Sequence, residues 1–384
     1  MEPMHILMAA GVPKRREGGV AAIIYNLGRE LEARGHRVSY VFFDDLLSAD
    51  ELSGRFREVQ FSNRLARHIR KNAAEYSVVN LHAPAGFVYG LRRALTSSRD
   101  LPPYVMTLHG LEDRRTHAMT REHAKGRAWN FSLKNRAWHR LYFLPRYYFA
   151  IKTADRAHGY SREVWLMLQL KYGMDTSDVA YIPNGVEERF FIPRQYPERK
   201  PVRYLYAGTW LDQRGIFYLR DALNALNAEF RDWTFTIAGP SGVENEIREF
   251  FGDSLAAQIR VIQGVAAEEM QTLYADHDVF LFPSLMEGLP SVLLEAMASG
   301  MPVITAETCG MVDAVEDDYN GILVPPADAA AITTALLRVS QCATLRRRLG
   351  TAAQETMRRW TWQKSASKLE RLLASAIGPR DGAQ

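Results

Sequence analysis

Apolar residues come in short runs that alternate with amphipathic stretches, and the alternation happens twice. In the first half, residues 5–10 read as an apolar strand, 11–19 as a loop, 20–34 as an amphipathic helix stopped by Gly35, and 37–43 as a second strand. Further strands are predicted at 77–82, 104–108, 156–161 and 179–182, with helices over 63–74 and 162–172. Apolar strands joined through helices predict parallel sheets, because a parallel pair needs a long crossover. Residues 187–201, with three prolines and scattered charges, interrupt the rhythm as a linker. The pattern then restarts, with strands at 204–207, 234–238, 259–263, 279–282 and 303–305. Helices are expected over 216–229, within 329–358, and over 360–377, ahead of a frayed tail from Gly378. A chain of 384 residues, 47% of them apolar, can fill two such cores.

The densest candidate chemistry lies between Phe282 and Val303, FPSLMEGLPSVLLEAMASGMPV. It reads as a strand end, a loop, a short helix and the next strand. Pro290 suits the first helical turn, and Gly300 followed by Pro302 makes a stop. Glu287 then falls in the loop and Glu295 one or two turns into the helix, where it is the only charge between Leu289 and Thr305. A carboxylate in so apolar a setting asks for a purpose. Free N–H groups at a helix start, here Gly288, Leu289, Pro290, Ser291 and Val292 less the proline's own, attract a diphosphate, and Gly288 admits close backbone approach. Glu295 lies too far along to spoil that positive pole but can accept two hydrogen bonds from a ribose diol. Glu287 faces whatever hangs from the far phosphate. An ordinary strand–helix–strand unit with one buried polar oddity accounts for the same spacing.

Other positions add candidates. Gly18-Gly19 opens a helix after the first strand, yet the full G-x-G-x-x-G fingerprint is absent, which disfavours an NAD enzyme. His109 ends the strand 104–108, and the carboxyl ends of parallel strands are where such sheets hold ligands. Gly208, Gly239 and Gly264 stand at strand ends in the second half.

The run E-G-L-P-S-V-L-L-E, with F-P-S before it and A-M-A-S-G-M-P-V-I after it, resembles the Glu-x7-Glu signature of the retaining GT-B glycosyltransferases of family 4. That resemblance covers nearly the whole chain. It implies an α/β chain of two facing doubly wound Rossmann-like domains. Residues 1–186 would bind the acceptor, 187–200 would link, and 201–360 would bind the nucleotide sugar, with a helix at 361–378 packing back onto the first domain. The implied reaction moves a sugar from a nucleotide diphosphate donor to a hydroxyl acceptor, without a metal or other cofactor. By resemblance, Gly18 and Gly19 lie near the donor phosphates, and His109, in a T-x-H-G context, lines the reaction centre. The I-P-N-G-V turn at 182–186 closes the first half. Where the family shows G-R-L-x-x-x-K-G, this chain has Gly208-Thr209-Trp210-Leu211-Asp212-Gln213-Arg214-Gly215. Arg214 stands in the Lys position and can grip a diphosphate bidentately; Thr209 replaces the usual Arg, a departure that bears on leaving-group stabilisation.

Charge changes the picture in one place. Residues 114–152 hold ten of the chain's 48 basic residues and one of its 44 acidic ones, Glu122. Eight aromatics are interleaved: Trp129, Phe131, Trp138, Tyr142, Phe143, Tyr147, Tyr148 and Phe149. Basic charge with interfacial aromatics suits an anionic membrane surface or a lipid-linked substrate; no nucleic-acid motif accompanies it. A pair of helices packing its aromatics inward fits the same composition. Two cysteines, Cys309 and Cys342, provide neither a disulfide framework nor a metal set, so a reducing, cytoplasmic setting is expected. The N-terminal apolar run is too short for a signal peptide, and no run is long enough to span a bilayer. The expected acceptor is a lipid-linked or cell-surface polysaccharide or lipopolysaccharide intermediate, at the inner face of the plasma membrane. The competing reading is a non-catalytic nucleotide-sugar-binding or assembly protein on the same fold.

Overall fold

The apolar runs form two six-stranded, all-parallel sheets. The structure, a computed structural model, describes residues 2–16, 18–96, 100–128, 132–198, 201–240 and 244–378, apart from the side chain of Asp113. Trp129, Phe131 and the tail beyond Gly378 lie outside the described residues. Two compact units emerge: residues 1–112, 132–185 and 362–384 make one, and 113–131 with 186–361 make the other.

The first unit carries β1 (His5–Ala9), β2 (Arg37–Val41), β3 (Val78–His82), β4 (Tyr104–Leu108), β5 (Arg156–Gly159) and β6 (Val179–Tyr181), in the spatial order β2-β1-β3-β4-β5-β6. Strands β3 and β4 are buried along their full length, as expected of strands covered on both faces. Four polar residues interrupt that apolar interior, namely Asn80, His82, Thr107 and His158, all wholly buried. The C-terminal helix Trp362–Ile377 belongs to this unit. Its buried Glu370 accepts hydrogen bonds from Arg34 Nε at 2.6 Å and His36 Nε2 at 2.9 Å, and Ser365 donates to the carbonyl of Pro183 at 2.6 Å.

The second unit carries β7 (Val202–Ala207), β8 (Trp233–Ala238), β9 (Ile259–Ile262), β10 (Val279–Phe282), β11 (Val303–Ala306) and β12 (Ile322–Val324), ordered β12-β11-β10-β7-β8-β9. In each sheet the chain order reverses at one point: between β1 and β3 in the first, and between β7 and β10 in the second. At such a reversal the two connecting loops leave in opposite directions and open a crevice beyond the carboxyl ends of the strands.

Some expectations need correcting. The helix foreseen at 63–74 starts earlier and runs Arg57–Lys71, a helix Phe87–Leu95 was not anticipated, and Pro290 caps its helix from outside rather than occupying the first turn. The basic stretch 114–152 is divided between the two units. Helix Glu112–Ala124 runs into the second unit, where buried Glu122 accepts from Tyr218 Oη at 2.6 Å and Lys125 Nζ at 3.0 Å. Arg127 pairs with Asp221 at 2.9 Å and lies over the Tyr218 ring. The remainder belongs to the first unit as Leu133–Trp138, a wider π turn His139–Phe143, and Leu144–Lys152. There Trp138 stacks on Tyr142, Arg55 sits 3.9 Å over Trp138, and Arg146 pairs with Glu58 at 3.0 Å.

Candidate active site

The loops that follow β7 and β10 meet at the second sheet's reversal point. Leu285 N–H donates to the carbonyl of Gln213 at 2.9 Å, tying one loop to the other. Gly215, at φ +74°, is packed so closely that a Cβ there would run into the carbonyl of Pro283. A third segment closes on the same place: Gly310 N–H donates to the Gly288 carbonyl at 2.8 Å, and a Cβ on Gly310 would strike that oxygen. These contacts put Arg214 beside Glu287 as a close ion pair, each side chain mostly shielded from solvent. Burial pulls the Arg214 guanidinium below its usual range, which Tyr206 partly offsets, and the group stays cationic at neutral pH. Its guanidinium also lies 5.4 Å from the centroid of Phe282.

Helix Ser291–Ala298 starts next, with Pro290 as its N-cap and no side chain capping it. The first amides and the positive end of the dipole are thus left for a ligand. Gly288 and Leu289 lead into it, and Ser291 and Val292 form its first turn. Glu295 stands one turn on and accepts a hydrogen bond from the buried Tyr274 hydroxyl at 2.9 Å. Burial pushes the Glu295 carboxyl up to about 7; the Tyr274 hydrogen bond opposes that shift, Glu187 adds to it, and Arg189 opposes it. Gly208 and Gly239 end neighbouring strands, with Gly208 N–H bonded to the Ala238 carbonyl and Gly239 N–H to that of Ile262. Thr209 is exposed, and its carbonyl accepts from Tyr206 Oη at 2.8 Å. From helix Glu112–Ala124, Arg115 Nε donates to Gln213 Oε1 at 2.9 Å, next to Arg214.

In the first unit, Gly18 and Gly19, beyond the loop that follows β1, have φ of +72° and +62° and open helix Gly19–Ala33 without a side-chain cap. His109 follows β4 and belongs to a buried polar cluster. His82 Nδ1 lies 2.7 Å from His109 Nε2 with the rings stacked, and His158 Nε2 lies 2.7 Å from Thr107 Oγ1, which also receives Asn80 Nδ2 at 2.8 Å. Tyr160 packs against both His109 and His158. Burial holds His109 down at about 4 and His158 at about 3, and His82 well below its usual range, so all three rings are neutral near pH 7. Among the described residues, no three His, Cys, Asp or Glu side chains are grouped to hold a metal.

The structure therefore brings Arg214, Glu287, Gly288, Leu289, Pro290, Ser291, Val292 and Glu295 together in the second unit, with Gly208 and Gly239 at adjacent strand ends. His109, Gly18 and Gly19 lie on the first unit. In the sequence Gly215 stands only as the last residue of the stretch that carries Arg214, and nothing there singles out Tyr274, Gly310 or His82. Tyr274 and His82 carry no motif, since their partners are 21 and 27 residues away; Gly310 has only its place as a glycine downstream of the Glu287–Glu295 run.

Two family models match adjoining parts of the chain: Glycosyltransferase Family 4 over residues 17–190 and Glycosyl transferases group 1 over 188–356. The chain is 28% identical over 186 residues to an amylovoran biosynthesis glycosyltransferase, AmsK, of Erwinia amylovora, a match spanning 46% of each protein, so that it covers under half of that relative. It is 27% identical over 381 residues to a phosphatidyl-myo-inositol mannosyltransferase of Mycobacterium leprae, covering 92% of both. Its fold matches that of sucrose-phosphate synthase from Thermosynechococcus elongatus with a TM-score of 0.77 and 19% identity, over 97% of this chain and 98% of that one. With two family models running end to end from residue 17 to 356 and two parallel Rossmann-like sheets beneath them, the chain belongs to the group 1, family 4 glycosyltransferases of GT-B fold.

Proposed function

We propose that the protein is a retaining glycosyltransferase whose second unit binds a nucleotide diphosphate sugar. The observation that carries this is the ion pair of Arg214 with Glu287 beside an uncapped helix start, at the point where the second sheet reverses. A diphosphate placed there meets the amides of Ser291 and Val292 and the Arg214 guanidinium; Glu295 takes the ribose diol, and Glu287 the sugar. As the glycosidic bond to phosphate breaks, negative charge grows on the leaving oxygens, and preorganised positive groups lower that barrier without reorganising. No metal is called for in this reading, because Arg214 and the helix dipole supply the positive charge. Same-face attack, with the leaving phosphate taking the acceptor's proton, accounts for retention without a covalent nucleophile on the protein. His109, Gly18 and Gly19 of the first unit are assigned the sugar and phosphate contacts that the family resemblance implies.

A thermal-shift series with UDP, GDP and ADP is expected to raise the midpoint for one of them, since a ligand that binds only the folded state stabilises it. The matching nucleotide sugar should then be slowly hydrolysed without acceptor. Binding without turnover would favour a nucleotide-sugar-binding or assembly role, to which the exposed Thr209 in place of a second cation lends its only support.

The acceptor in this reading is a hydroxyl of a lipid-linked or cell-surface polysaccharide intermediate, reached from an anionic membrane surface. The stretch 132–152 is the better membrane candidate of the two halves, because several cations of 113–128 are engaged within the second unit. It exposes Leu133, Leu141, Tyr148 and Phe149 along with Lys134 and Arg140. Each such cation is worth about 1 kcal/mol at an anionic surface, within a Debye length. The protein should float with vesicles containing phosphatidylglycerol at low salt and release at high salt. Leu141→Asp with Phe149→Asp should weaken flotation; equal flotation with neutral vesicles would exclude this surface. No helix among the described residues is long and apolar enough to cross a membrane.

A further inference from the structure

His82 is wholly buried at the end of β3 and belongs to no motif, yet it makes the shortest side-chain contact to His109: Nδ1 to Nε2, 2.7 Å, with ring centroids 5.0 Å apart and planes inclined by 27°. Both rings are neutral, so one of those two nitrogens carries the shared proton and the other its lone pair. The choice is decided on the far side of His82. Its Nε2 is buried and meets no partner. If that atom carried the proton, an N–H would be buried unsatisfied, which native structures almost never tolerate; an unmet lone pair costs less. The proton therefore sits on His82 Nδ1 and points at His109 Nε2. His109 must then carry its own proton on Nδ1, the ring nitrogen that His82 leaves for a ligand.

We propose that His82 is a positioning residue: by donating to His109 Nε2 it fixes His109 as the Nδ1–H tautomer, a neutral hydrogen-bond donor to an oxygen of the transferred sugar. The stacking sets the plane of the His109 ring, and the hydrogen bond sets which edge carries the proton. His109 in this role recognises an oxygen lone pair and takes no proton from the acceptor. The orientation follows from the His82–His109 geometry; its use in catalysis rests on the sugar-binding role of His109 proposed above.

The test is a long-range proton–nitrogen NMR spectrum of histidine-labelled protein, with His109 assigned by its loss in His109→Gln. Wild type should show His109 protonated on Nδ1 and bare on Nε2; protonation on Nε2 overturns the proposal without any variant. His82→Leu should release the Nδ1–H tautomer and lower kcat about 10–100-fold, by analogy with the loss seen when the outer hydrogen-bond partner of a metal-ligating histidine is removed. UDP affinity should stay at the wild-type value. His82→Asn keeps an amide N–H near the position of Nδ1 and should restore both tautomer and rate. A fall in rate with an unchanged His109 tautomer in His82→Leu would mean lost packing and would also overturn the proposal. A changed tautomer with unchanged rate would leave the orienting role standing and remove His109 from the reaction centre instead.

Discussion

Glu295→Ala is expected to abolish measurable binding of UDP or whichever diphosphate the protein prefers, while leaving the fold intact. A ribose diol held by a shielded carboxylate makes two charge-assisted hydrogen bonds, each worth about 1.5–3 kcal/mol, so their loss exceeds a hundredfold in affinity. Calorimetry decides the matter: unchanged affinity would remove Glu295 from the nucleotide site. The same residue predicts a pH dependence. With its carboxyl pushed up to about 7, only part of the free protein holds the carboxylate ready at pH 6, and nearly all of it does at pH 8. Affinity should rise about tenfold over that interval, from the ionised fractions alone. The phosphate's own ionisation contributes equally to wild type and Glu295→Gln, so the difference between their pH profiles isolates the carboxyl. The effect on stability has the opposite sign. A carboxyl whose folded value is raised above its ordinary 4.5 favours the folded state below that value, and this contribution is lost as pH climbs through about 7. Without ligand, Glu295→Gln should therefore gain on wild type in melting temperature as pH rises from 4.5 to 8.

Arg214→Ala is expected to lower kcat by about 10²–10³-fold, the loss seen when one preorganised donor to a developing oxyanion is removed. Arg214→Lys should recover only part of this, since a point charge cannot reproduce the two-pronged grip on a diphosphate. The ion pair with Glu287 sharpens the test. Glu287 holds the guanidinium in the absence of donor, and an incoming diphosphate has to share it. Glu287→Gln should consequently bind UDP at least as tightly as wild type yet transfer sugar more slowly, because the lost carboxylate acts on the sugar. Parallel loss of UDP affinity in the Glu287 and Arg214 variants would sink the division of labour between them.

Much of the candidate site could be read along the chain because it is locally encoded. Glu287, the uncapped helix start and Glu295 lie within nine consecutive residues, and the helix's own geometry places one carboxylate before the positive pole and the other beyond it. Arg214 was legible only through its place in a family pattern. The division of the stretch 114–152 between the two units was not legible, because composition reports what a segment contains and not which partner takes it up. Glu122 and Arg127 fit Tyr218 and Asp221, so the first part is held by the second unit, while Arg146 and Trp138 of the later part meet Glu58 and Arg55 in the first.

The amino-acid sequence alone determined the parallel α/β class, the repetition of that plan, and the carboxylates and glycines around one helix start, since strand period, helix capping and loop chemistry act over a few residues. Tertiary structure decided the rest. Strand order put the reversal between β7 and β10, which is what brings Arg214 to Glu287 across more than seventy positions of chain. Burial, which no neighbour in sequence reports, raised Glu295 against the opposing hydrogen bond from Tyr274 and kept His82, His109 and His158 neutral. Desolvation and hydrogen bonding depend on which atoms surround a group in space, and that company is assembled only when the two sheets close over their cores.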